Sequence, residues 1–162
     1  MRTQLVRNIT RIAIGILTVI FLSLGNVSIS FADPGPGEQS YSPEQEIQEA
    51  FEKTNEERAQ YGLKPLTWNE KSAPAADVRA KEAAQTFSHT RPDGSAWYTA
   101  DPNTLYGENL ARGYKTGTEV VAAWMQSPGH RANILNPEYT SVSYGYSVTP
   151  KGSVVFSQEF SY

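Results

Sequence analysis

The chain has no cysteine among its 162 residues. That excludes a disulfide framework, thiolate metal ligands and a cysteine nucleophile, so stability must come from packing, hydrogen bonds or a bound ion. Histidine is nearly as scarce, with only His89 and His130, so any imidazole chemistry is confined to two positions. No apolar run approaches the roughly 20 residues a membrane-spanning helix requires; the longest, at 12–24, has 13. Basic residues are in the minority, 14 Lys and Arg against 17 Asp and Glu. The acidic balance, which deepens once the basic start of the chain is removed, argues against nucleic acid and anionic lipid surfaces as partners. No internal repeat or low-complexity tract is present.

What is there begins with a targeting signal. Arg2, Arg7 and Arg11 precede the apolar run, and Ser30-Phe31-Ala32 offers small residues to a signal peptidase. Residues 1–32 are expected to be a cleaved signal peptide, with retention as an anchor the alternative. Cleavage leaves 11 basic against 17 acidic residues, a net charge of −6. Residues 33–42 are rich in Pro, Gly and Ser and read as a flexible leader. Residues 43–162 suffice for one domain with a single packed core, and a monomer is expected.

The spacing predicts a helix opening at Ser42, where Ser42 and Gln45 form a capping box and Pro43 takes the first helical position. Ile47, Ala50, Phe51, Thr54, Arg58 and Tyr61 make its apolar stripe, Gly62 closes it, and Asn55 with Arg58 are expected to hold loop backbone. Leu63–Trp68 reads as a loop that gives Leu66 and Trp68 to the core. A second helix, capped at Asn69 or Ser72, carries an alanine stripe, Ala73, Ala76, Ala80 and Ala83 with Phe87, that lets another element approach closely. It is expected to end beside His89, ahead of an Arg-Pro-Asp-Gly turn. Trp97 and Tyr98 fall in a lid-like loop. Gly107-Glu108-Asn109 reads as a turn, with a possible strand over Leu105–Ala111. Thr118 caps a third helix that Pro128 stops at Ser127. His130 then lies in a turn, with Ile134 and Leu135 beneath it. An antiparallel hairpin follows, its alternating residues from Val142 to Val148 and Val154 to Tyr162 burying one face, and Gln158 interrupts that apolar face as a buried amide.

These motifs carry a resemblance. Phe-Ser-His at 87–89 followed by Arg-Pro-Asp-Gly-Ser, Gly-Glu-Asn at 107–109, and Trp124-x-x-Ser127-x-x-His130-Arg131-Ala-Asn133-Ile-Leu resemble the bacterial branch of the CAP superfamily, the SCP domain. Asn-Glu-Glu-Arg at 55–58 and the terminal Phe-Ser-Gln-Glu-Phe are similar to bacterial members too, and the likeness covers Pro43 to Tyr162. It implies an α+β fold, a three-layer α-β-α sandwich with a central antiparallel sheet. It also implies a cleft in which His89, Glu108 and His130 face one another. The family's usual second acid falls at Ser127, a departure, as is the absence of cysteine.

The triplet His89, Glu108 and His130 is the ligand set of a His₂Glu zinc site with one open position, although the spacing contains no HExxH. Asn109, Ser127, Arg131, Asn133 and Gln158 are expected around it. Three readings stand side by side. In the first, the cleft is a non-catalytic binding module for a divalent metal, zinc being the candidate, or for a lipid, peptide or glycan ligand of the cell envelope. In the second, it is a metal-dependent hydrolase. In the third, Ser127 is a nucleophile served by His130 and Glu108, without the strained elbow such serines use. Trp97, Tyr98, Tyr106 and Tyr114 are candidates for the cleft rim. The signal peptide implies a secreted, extracellular or wall-associated location.

Overall fold

A computed structural model describes residues 42–162. The expected signal peptide, and all of the leader but Ser42, lie outside the described residues. Helix α1 spans Pro43–Gln60, strand β1 Thr67–Trp68, α2 Ala73–Gln85, β2 Gly107–Arg112, α3 Gly117–Gln126, α4 Pro128–Ile134, β3 Ser141–Val148 and β4 Val154–Ser161. The strands form one sheet in the order β1-β3-β4-β2. Helices α1, α3 and α4 cover one face and α2 the other, which is the three-layer sandwich. The sheet is antiparallel except at one edge, where the segment expected to be a loop pairs parallel, Thr67 with Ser141 and Trp68 with Val142. Among the described residues no helix is long and apolar enough to cross a membrane.

Helix α1 opens with the capping box at Ser42 and Gln45. Its buried line is more polar than its apolar stripe suggested: Glu46, Ala50, Thr54 and Arg58 are buried, while Tyr61 caps the helix and is exposed. Asn55 grips the Leu66 backbone through both its carbonyl and its amide. Arg58 donates from Nε to the Lys64 carbonyl, from Nη1 to those of Ile134 and Asn136, and from Nη2 to that of Tyr139. A helix end leaves carbonyls without intrahelical partners; Arg58 of α1 supplies those donors to the end of α4.

The hairpin buries both faces, not one. Val142, Tyr144, Phe156 and Phe160 join Trp124 and Ile134 in the main core. The small residues of the opposite face, which alternate like solvent-facing positions, lie under α2. Ser72 and Ser143 share a hydroxyl hydrogen bond of 2.8 Å, and the Ser157 hydroxyl donates to the Ala76 carbonyl. A Cβ on Gly145 would stand against that same carbonyl. The alanine stripe thus seats the α2 backbone directly on a Ser and Gly surface. Phe87, beyond the end of α2, is exposed.

The third helix is capped by Thr116, not Thr118: the Thr116 hydroxyl accepts from the Glu119 amide. Gly117 lies directly against the α1 backbone and donates its amide to the buried Glu46 carboxylate. Thr118 instead bonds Glu49 across the helix pair.

Candidate functional site

Glu108 is on strand β2 rather than in a turn, paired with Glu159 of β4, and its side chain is only 1% exposed. A carboxylate buried this way needs a partner. Arg79, fully buried on α2, supplies it: Nε donates to Oε2 at 2.7 Å and Nη2 to Oε1 at 3.3 Å. Arg79 also bonds Glu82 and the Ser88 carbonyl. Burial alone would lower the guanidinium's pKa, but the bonds to Glu108 and Glu82 outweigh it and hold the pKa above its ordinary value.

His89 lies past the end of α2, in a loop closed by a bridge between Thr90 and Ala96. Its carbonyl accepts from the Trp97 amide. Arg91 ties the loop to α2 by donating to both oxygens of Glu82. The Arg-Pro-Asp-Gly turn holds the other end, with Gly94 at φ 84° in the left-handed region that glycine favours. Thus placed, the His89 imidazole meets Glu108, Nδ1 to Oε1 at 2.7 Å, while its side chain stays 56% exposed.

His130 is in the first turn of α4, not in a loop, and is half-buried. Its backbone is pinned to β2: the Asn109 side-chain amide donates to the His130 carbonyl and to Gln158 Oε1. Asn133 donates to the Glu108 carbonyl and to Asn109 Oδ1. Gln158 in turn donates to Thr54 and Tyr144, all buried. Burial, and then the proximity of His89, lower the pKa of His130, so it is neutral at pH 7.

Of the expected residues, His89 and Glu108 are in direct contact. Asn109, Asn133 and Gln158 form the hydrogen-bonded floor that fixes α4 against β2. Arg131 departs: its guanidinium bonds the Tyr61 hydroxyl and lies over that ring, on the α1 side. Ser127 joins α3 to α4 as a cap without a side-chain capping bond, and no hydrogen bond joins it to His130 among the described residues. Among the described residues no three His, Asp or Glu side chains are grouped to hold a metal ion. Glu108 is committed to Arg79 and His89, which leaves it little capacity as a ligand. The aromatics do not form one rim: Trp97 packs edge-on against Tyr98 beside His89, and Tyr106 lies against Tyr162.

Two residues around Glu108 escaped the sequence. Arg79 falls within the alanine stripe at helical spacing, three after Ala76, and that position was the available signal. Glu159 alternates onto the face read as exposed, yet it is fully buried beside Glu108, and neither carboxyl oxygen has a partner among the described groups. Burial and the Glu108 carboxylate push its pKa well above the ordinary range.

An α-β-α sandwich that holds a histidine against a buried carboxylate defines the class of this molecule. The chain belongs to the CAP family, described as the cysteine-rich secretory protein family, whose model matches residues 51–160. It is 38% identical over 122 residues to the uncharacterized protein YkwD of Bacillus subtilis, covering 67% of this chain and 44% of that protein. It is 31% identical over 99 residues to the uncharacterized membrane protein YlbC of the same organism, covering 57% of this chain and 29% of that one. The chain thus spans less than half the length of these relatives. Among solved structures it resembles an outer surface protein of Borrelia burgdorferi, with TM-score 0.65, 20% identity and coverage of 75% and 95% of the two chains. It also resembles an extracellular SCP-domain protein of Bacillus anthracis, with TM-score 0.59, 23% identity and coverage of 75% and 45%. At these identities the structural likeness shows the fold.

Proposed function

We propose that the protein is an exported binding module whose cleft takes a divalent cation through His89 and His130, with Glu108 orienting His89 rather than coordinating. The observation that carries this reading is the 2.7 Å contact between His89 Nδ1 and Glu108. A carboxylate accepting from one ring nitrogen fixes the tautomer and turns the other nitrogen, Nε2, outward as a ligand, the arrangement metal-binding histidines use. His130, held neutral, has the protonation state a metal requires. Glu108 does not fit as a direct ligand while Arg79 occupies it, so the His₂Glu set becomes two imidazoles with positions left for water or a ligand. A bound Zn²⁺ would supply a Lewis acid there. Export is supported by the basic and apolar start of the chain and by extracellular relatives of the same fold.

A serine-type hydrolase finds no support in the geometry, since Ser127 lacks the hydrogen bond to a base that such a nucleophile needs. The test is thermal unfolding with and without Zn²⁺. Saturation at about 100 times the Kd adds about 2.7 kcal/mol to the folded state. His89→Ala and His130→Ala are expected to abolish the rise in Tm, and Glu108→Gln to reduce it. A flat response of the unaltered chain removes the reading.

A further inference from the structure

A cleft of about 520 Å³ lies at the end of the sheet where β1 and β3 begin and β4 finishes, and it shares no lining residue with the histidine site. Its volume is in the range of small-molecule sites. Its floor is rigid and polar. Asn69 Nδ2 donates to the hydroxyls of Ser141 and Ser161, while Asn69 Oδ1 accepts from the amides of Lys71 and Ser72. These groups satisfy one another, so they shape the cleft without competing for its contents.

Other lining groups retain capacity. The side chains of Asn103 and Glu70 line the same space. One wall is aromatic: Tyr106 and Tyr162, 47% and 60% exposed, lie with ring centroids 4.5 Å apart and their planes tilted by 47°. Tyr106 is braced from behind, its carbonyl accepting from the Tyr139 hydroxyl. Tyrosine rings so exposed leave apolar faces in water that a flat, partly apolar ligand would cover.

We propose that this cleft binds a neutral pyranose oligosaccharide, with a sugar ring against the Tyr106 and Tyr162 pair and its hydroxyls bonded to Asn103 and Glu70. A pyranose has an apolar C–H face and an edge of hydroxyls that donate and accept, and the cleft presents both complements. A lipid chain would leave the Asn103 and Glu70 side chains facing hydrocarbon, a costly mismatch. Glu70 and Lys71 both line the cleft, so a polyanion would find no surplus of positive charge there.

The experiment is an amide-resolved NMR titration of the chain with chitotetraose, maltotetraose and a heparin-derived tetrasaccharide. A saturable shift confined to residues 103–106, 67–71 and 161–162 with at least one neutral tetrasaccharide is expected. Tyr162→Ala, at a site too exposed to support the core, should weaken that binding about tenfold, the worth of one aromatic contact. Tyr162→Phe should retain it, because the ring and not the hydroxyl is the contact. The proposal is overturned if neither neutral sugar saturates, if the shifts fall elsewhere, if Tyr162→Ala binds as well as the unaltered chain, or if only the heparin fragment binds.

Discussion

Replacing Arg58 with methionine tests how α1 holds the segment that carries His130. The side chain is 1% exposed and faces four backbone carbonyls, with no carboxylate in contact. Burial lowers its pKa, the sign of a charge that is costly to desolvate. Methionine keeps apolar volume and removes that cost, so the net effect is set by the carbonyls left behind. Those of Ile134 and Tyr139 accept at buried contacts, and each unpaired buried acceptor costs about 1–3 kcal/mol. The other two can turn to water. With a gross loss of about 2–6 kcal/mol and partial relief from the missing charge, we expect a net loss of about 3 kcal/mol. For a domain of this size that lowers Tm by roughly 12 °C. Urea unfolding followed by tryptophan fluorescence measures it as a drop in midpoint at unchanged slope. A loss under about 1 kcal/mol would mean that the carbonyls find other partners and that Arg58 is not the clamp.

Arg79→Leu should cost about 3–5 kcal/mol in the same assay, because it leaves the Glu108 carboxylate buried without its cation; a loss no larger than that of an exposed arginine would contradict the pairing. Gly145→Ala should destabilise by about 1–3 kcal/mol, since the added methyl meets the Ala76 backbone, which cannot swing aside as a side chain can. Glu159, whose folded pKa is raised by burial and by Glu108, favours the folded state fully below the unfolded carboxylate pKa and loses that contribution as pH rises through the folded value. Denaturation midpoints measured at about pH 5 and about pH 8 should therefore show a fall toward alkaline pH that Glu159→Gln flattens; an unchanged slope in the variant would refute it.

The helices and the hairpin were legible because their signals are local. The capping box, Gly62, Pro128 and the strict alternation of Val142, Tyr144 and Tyr146 each act within a few residues. The misreadings came from elements meeting. Ser143, Gly145, Ser157 and Glu159 alternate as a solvent face would, and only the arrival of the alanine-striped α2 buries them. Residues 67–68 pair because β3, far down the chain, offers its edge. Within the site, resemblance named His89, Glu108 and His130, yet no local pattern announces that Arg79 occupies Glu108. That arginine changes the chemistry, moving the carboxylate from coordination to orientation. Arg131 was expected at the cleft because it adjoins His130, but successive residues of a helix point about 100° apart, and α4 turns it toward Tyr61.

The most direct test of the account is a long-range ¹H–¹⁵N correlation spectrum of the two imidazoles at neutral pH, recorded before and during addition of Zn²⁺. The account expects His89 to carry its proton on Nδ1, against Glu108, and zinc to shift Nε2 of His89 together with one nitrogen of His130 at a single stoichiometric point. A His89 protonated on Nε2, or zinc that leaves either ring unmoved, would contradict it.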